Sequence, residues 1–189
     1  MKTTSALDTK IIKVENPTVD TVQPYGVMLG RNTDIEPLPI ISYDGAVEVR
    51  RVGNFVSDEQ TEMPVCTVNK RPYEAVWMER HSKHTQTFIS LGSKPFIALF
   101  APPNQEELPD IDQAKAFLFD GSVGFMMHLG TWHEFPFAIF DDTDILVILR
   151  KEATDSLSNE NVKDGEAMGP DLEKRNLASR FGLKIKLEM

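Results

Sequence analysis

"MERHSKHTQTFISLG", residues 78–92, is the stretch on which the fold turns. Glu79 and His81 stand two apart, so on a strand both side chains point to the same side. The run then continues Gln86-Thr87-Phe88-Ile89-Ser90-Leu91 and stops at Gly92. A short β-branched and aromatic run closed by glycine reads as a strand. Downstream lies a second stretch of the same kind, "GSVGFMMHLGTWHEF", residues 121–135. There a strand rises to a Gly-Thr turn, and Trp132 and His133 enter the next strand.

Outward from these two stretches, short apolar runs recur at 11–14, 47–51, 65–68, 75–79, 85–91, 96–101, 116–119, 123–128, 135–140 and 145–150. Each is bounded by Gly, Pro, Asn or Asp. The even, short spacing predicts an all-β barrel or sandwich and not a set of βαβ units. Helix signals are few. One helical turn is expected after Pro109. The tail "GPDLEKRNLASRFG", residues 169–182, predicts a helix with Asp171 as N-cap, Gly182 past its last turn, and Leu172, Leu177 and Phe181 as its apolar side. Residues 154–170 are polar and turn-rich and read as a linker, and 184–189 as a last short strand. Residues 29–45, interrupted by prolines, read as a loop. The expected division is a barrel with an N-terminal arm over 1–153, followed by a linker and C-terminal helical extension over 154–189. The arm at 9–14 suggests a homodimer through paired or exchanged edge strands.

Composition narrows the class. The chain has 189 residues, 41% of them hydrophobic, enough for one buried core. A net charge of −9 argues against nucleic acid or an anionic membrane as partner. No apolar run approaches a membrane span of ~20 residues, and the N-terminus lacks the apolar region of a signal peptide. Cys66 is the single cysteine, so no intrachain disulfide forms, which suits a cytoplasmic protein. Alone, Cys66 reads as a small buried hydrophobe.

The two stretches together resemble the two-motif pattern of cupin barrels. That resemblance implies a double-stranded β-helix barrel. It also implies a divalent metal (Ni, Mn, Fe or Zn) with ligands falling on Glu79, His81, Gln86 and His133. Glu79 stands where a His is common and Gln86 where a Glu is common, and an amide oxygen is a weaker ligand for a transition metal. Within that superfamily the order "QPYG", "ERH…TQTFISL", "PD…KAFLFDG", "GFMMHLGTWHEFPF" and "DILVI" resembles the ureidoglycolate lyase family over residues 23–148. Departures fall at Met127, Glu134, the added Phe135, Lys115, and Leu149-Arg150.

The resemblance implies cleavage of ureidoglycolate, a small carbinolamide, to glyoxylate and urea. Such a reaction needs a base, an acid and a cation for the substrate carboxylate. His133, His81 and Glu79 are the candidate catalytic residues. Gln86 is expected to bond substrate or complete the coordination sphere, and Lys115 to anchor the carboxylate. Arg80 is a second cation, although it should face the other side of its strand. His128 faces the pocket or caps the turn before Gly130, Trp132 is core or pocket wall, and His84 reads as structural. Two alternatives stay open: a cupin enzyme acting on a different small hydroxy or oxo acid, motivated by Glu134, and a non-enzymatic cupin that binds a small carboxylate.

Overall fold

The computed structural model describes residues 7–30, 35–40, 43–157 and 162–189. Two curled sheets face one another and form the expected all-β, cupin-like barrel. The larger sheet runs, by hydrogen-bonded neighbours, through Val162–Lys163, Glu166–Met168, Leu172–Asn176, Trp77–His81, Trp132–His133, Phe96–Ala101, Lys115–Phe119, Asp8–Glu15, Leu183–Glu188 and Glu74–Ala75. Phe137–Ala138 also pairs with Phe96–Ala101. The smaller sheet runs through Gly26–Leu29, Gly124–Met127, Thr87–Ser90, Thr143–Arg150 and Thr61–Glu62, with Val65–Val68 also on Thr143–Arg150.

The Phe96–Ala101 strand shows how sequence sets the layers. All six residues are buried, so both faces of this strand are covered. Phe96, Ala98 and Phe100 point inward and pack with Phe88, Phe117 and Phe125 between the sheets. Ile97, Leu99 and Ala101 point outward into a second core with Met78, Trp132 and Leu177. Its continuous apolar run, with no polar alternation, is what a strand buried on both faces requires.

That alternation fixes the site. Directly paired residues on neighbouring strands project to the same face. His133 pairs with Phe100 on one side and Glu79 on the other, so His133 and Glu79 share the inner face. Trp132 pairs with Ala101 and lies on the outer one.

Three local expectations change. Residues 47–51 form no strand. The tail is not a helix from Asp171: Leu172–Asn176 is a strand antiparallel to Trp77–His81, and only Leu177–Phe181 is helical. Cross-strand charge explains this. Glu173 lies opposite Arg80 and Lys174 opposite Glu79, and opposite charges in such pairs favour the sheet over local helix propensity. The helix that remains is capped by the Asn176 side chain, and Gly182, at φ +68°, ends it as expected. Residues 154–170 likewise carry the end of a helix, Lys151–Leu157, and a hairpin that extends the large sheet.

The N-terminal arm belongs to the larger sheet. Asp8–Glu15 runs parallel to Leu183–Glu188 along 8–13 and to Lys115–Phe119 at Val14 and Glu15, all within one chain. Along 8–13 one edge of the arm is therefore taken up within the chain.

Candidate active site

Glu79, His81 and His133 converge on the inner face, with one ligand-type atom from each lying within 4.8 Å of the others. All three are drawn from the large sheet. Gly130, at φ +77°, makes the turn that returns the chain into the Trp132–His133 strand, and its N–H donates to the His81 carbonyl at 2.7 Å. The "QPYG" segment clamps the same turn. His128 Nε2 donates to the Gln23 carbonyl at 3.0 Å, and the His128 N–H and Thr131 hydroxyl both donate to the Tyr25 carbonyl.

The polar atoms of the cluster are left open. His133 Nδ1 lies 3.1 Å from the Thr131 carbonyl, so it carries the proton and donates there. In the neutral ring Nε2 then holds a lone pair, yet it faces the Glu79 carboxylate at 3.5 Å. A lone pair opposite a carboxylate requires positive charge between them, either a proton on Nε2 or a cation. Both nitrogens of His81, Nε2 of His133 and Oε1 of Gln86 are buried without a hydrogen-bond partner among the described residues. Orphaned buried polar atoms are rare and costly. Gln86 precedes the Thr87–Ser90 strand, two residues before Phe88, whose ring meets that of His133 edge-on at 5.9 Å.

Charge states follow from this surrounding. Burial pushes the Glu79 carboxyl up, but His133, His81 and Lys174 outweigh it and hold the carboxyl at about 2. Burial, reinforced by His133, pushes His81 down to about 3, so His81 is neutral at pH 7. Burial raises Glu134, against the pull of Arg71.

These donors suit the divalent ion that the cupin resemblance implies. Imidazole nitrogens, a carboxylate and an amide oxygen form an N/O set fit for a first-row metal, and the orphaned atoms are those a ligand sphere would use.

A cavity of about 100 Å³ opens beside the cluster, lined by Glu79, His133, Glu134, Phe135, Trp77 and Lys174 among others. Lys174 Nζ is 4.0 Å from Glu79. Glu134 Oε1 accepts from the Phe135 N–H at 3.0 Å and from Arg71 at 3.3 Å.

Other expected site residues lie elsewhere. Arg80 projects to the outer face, where Glu173 at 2.8 Å, the Asn104 side chain and backbone, and the Trp132 ring satisfy it. Trp132 is buried in the outer core and donates to Asn104. A larger cavity of about 260 Å³ on that side is lined by Arg80, Asn104 and Glu173, whose polar groups already pair with one another. Lys115 is exposed, paired with Glu15 at 3.3 Å, and separated from His133 by Phe100. His128 is exposed and spent on the turn.

Sequence reasoning missed Lys174 and the partner of His84. Lys174 sits in a segment whose local pattern favours a helix, and only its alternating charges against "MERH" hint at the register. His84 is fully buried, with Nδ1 2.6 Å from Asp171 Oδ2.

A family model described as ureidoglycolate lyase matches residues 9–175. The chain is 37% identical to a ureidoglycolate lyase of Azotobacter vinelandii over 76 residues, which cover 40% of this chain and 45% of that protein. It is 24% identical to a ureidoglycolate lyase of Pseudomonas syringae over 146 residues, 75% of this chain and 84% of that one. A third of that name, from Pseudomonas paraeruginosa, is 33% identical over 97 residues, about half of either chain. With the matched span taking in both halves of the histidine cluster and Lys174, the chain belongs to the ureidoglycolate lyase family.

Proposed function

We propose that this protein cleaves ureidoglycolate to glyoxylate and urea at the Glu79–His81–His133 cluster. The observation that carries this is the convergence of buried, partnerless acid/base groups next to a cavity that also presents a lysine. In ureidoglycolate one carbon bears a hydroxyl, a carboxylate and the ureido nitrogen. As the hydroxyl proton leaves, the C–O bond becomes a carbonyl, the C–N bond breaks, and its electron pair goes to nitrogen, which takes up a proton.

Lys174 is the cation nearest this chemistry and binds the substrate carboxylate. It replaces Lys115 in that role. Glu79 is ionised and His81 neutral at pH 7, so both are proton acceptors there. His133 Nε2, with Nδ1 committed to Thr131, is the single open nitrogen of its ring. With a proton at that nitrogen, facing the Glu79 carboxylate at 3.5 Å, it delivers the proton to the departing nitrogen. A divalent ion held by Glu79, His81, His133 and Gln86 would occupy His133 Nε2 in place of that proton and supply Lewis-acid activation of the hydroxyl, leaving the Lys174 ammonium as the acid of the site. Phe88 and Phe135 wall the site and exclude water.

Glu134 favours a second version of this reading, in which the substrate is a related small hydroxy acid. A carboxyl group on the cavity wall, raised by burial, is suited to a substrate with an added donor. The test is incubation with racemic ureidoglycolate and a panel of divalent ions, with glyoxylate and urea quantified separately. Release of both in equal amounts supports the proposal. Release of neither, under every metal condition, ends it.

A further inference from the structure

Behind His81 lies a second group of buried donors that the four positions implied by the cupin resemblance do not include. His84 and Asp171 are both fully buried at the side chain, with His84 Nδ1 2.6 Å from Asp171 Oδ2. The other oxygen of Asp171 accepts the Lys83 N–H at 2.6 Å. A nitrogen facing a carboxylate at this distance carries the proton. In the neutral ring, Nε2 of His84 is therefore left with its lone pair. That atom is buried without a hydrogen-bond partner among the described residues. It is not isolated, because the His81 ring lies 4.3 Å from the His84 ring, centroid to centroid, and His81 also has both nitrogens open. His81, His84 and Asp171 each bring a ligand-type atom within 4.8 Å of the others.

A carboxylate that takes the proton of one imidazole nitrogen and leaves the other open is the arrangement that orients a metal-bound histidine and raises its basicity. A histidine buried only for packing has no use for an unsatisfied Nε2, since leaving it unpaired is destabilising. We infer that His84 is a ligand to the divalent ion taken by this cluster, shared with His81, and that Asp171 is the positioning residue that fixes the His84 tautomer. The inference rests on the cluster holding a metal. It does not require the substrate to be ureidoglycolate.

The full-length chain carrying His128→Ala, which removes the exposed ring from the count, serves as parent. Zn²⁺ affinity is measured by competition with a chromophoric chelator, and bound imidazoles are counted by pulsed EPR of the Cu²⁺ form. His84→Gln should weaken Zn²⁺ at least about tenfold and remove one imidazole from the count. Asp171→Asn should keep the count and weaken Zn²⁺ by about ten- to a hundredfold. A folded His84→Gln protein with parental affinity and parental count overturns the inference. Should His84→Gln not fold, His133→Asn decides: two imidazoles remaining support His84 as ligand, and one remaining overturns it. A parent that binds no divalent ion overturns it as well, while glyoxylate release by that metal-free protein would leave the lyase proposal standing.

Discussion

The two faces of the Trp77–His81 strand treat their charged and polar groups in opposite ways. On the outer face Arg80 meets Glu173, Asn104 and the Trp132 ring, and its hydrogen-bonding groups are occupied. On the inner face Glu79 and His81, with His133 beside them, leave buried nitrogens open. Both faces pair with the same strand, Leu172–Asn176, so the contrast does not arise from a difference in surroundings at the backbone level. It arises from what the side chains meet. A satisfied buried network stabilises the fold, while an unsatisfied one stores capacity for a ligand, a proton or a metal.

If this division holds, the two faces should fail differently. The largest effect is expected from His133→Asn, which preserves the Nδ1-side bond in shape but removes the open nitrogen. Turnover should fall by about 10³-fold, within the range for losing a general acid or base, with a melting temperature close to that of the parent. A variant as active as the parent would remove the inner-face assignment. Next comes Lys174→Met, which keeps the stem over Trp77 and deletes the charge. We expect KM to rise by about tenfold or more with a smaller change in kcat, the pattern of lost ground-state binding. Lys115→Met should change neither, and an equal effect at Lys115 would move the carboxylate anchor back to that residue.

The inner face was legible in the sequence to a surprising depth for two reasons. Glu79 and His81 stand two apart on one strand and so face the same side, and the resemblance to the cupin two-motif pattern brought Gln86 and His133 to them. Lys174, Asp171 and the satisfaction of Arg80 were not legible. All depend on the register of a strand about 90 residues away in sequence, in a segment, "DLEKRNLASRFG", that carries acceptable helix propensity and a plausible N-cap. The partners that make 172–176 a strand, Arg80 and Glu79 among them, lie outside any local window. The partners of the arm at 9–14 were not legible for the same reason: they are the last strand of the chain and the Lys115–Phe119 strand, both distant in sequence. His84 is the subtler case: an isolated strand histidine looks structural until its buried carboxylate partner is seen.

The outer face should fail in stability. Arg80→Met keeps the stem against Trp132 and removes the guanidinium, leaving Glu173 with Arg175 at 3.0 Å as its remaining cation. A loss of about 1–2 kcal/mol in urea unfolding is expected, the cost of unmaking charged hydrogen bonds in a partly buried setting, with turnover per folded molecule within about twofold of the parent. A large loss of turnover at unchanged stability would place Arg80 in the reaction and erase the contrast between the faces.

The inner face should in turn reveal itself through pH, by a smaller and more gradual effect. His81 is lowered from 6.5 to about 3 by burial and by His133. Between those values the unfolded chain takes up a proton that the folded protein refuses. The unfolded state therefore binds more protons, and stability falls as pH drops from 6.5 toward 3. Glu79 acts in the same direction over a lower window, from 4.5 to about 2, because its folded carboxylate resists protonation longer than the unfolded one. Above pH 5 the His81 contribution is thus separable from that of Glu79. Urea unfolding in the presence of a chelator, at steps from pH 7 to 5, should show a slope that approaches about 1.4 kcal/mol per pH unit for the single proton. His81→Asn should flatten that part of the profile while leaving the fall below pH 4.5 in place. A parental slope in His81→Asn would mean that another group sets the acid sensitivity and that the inner-face imidazole is not held neutral by its burial.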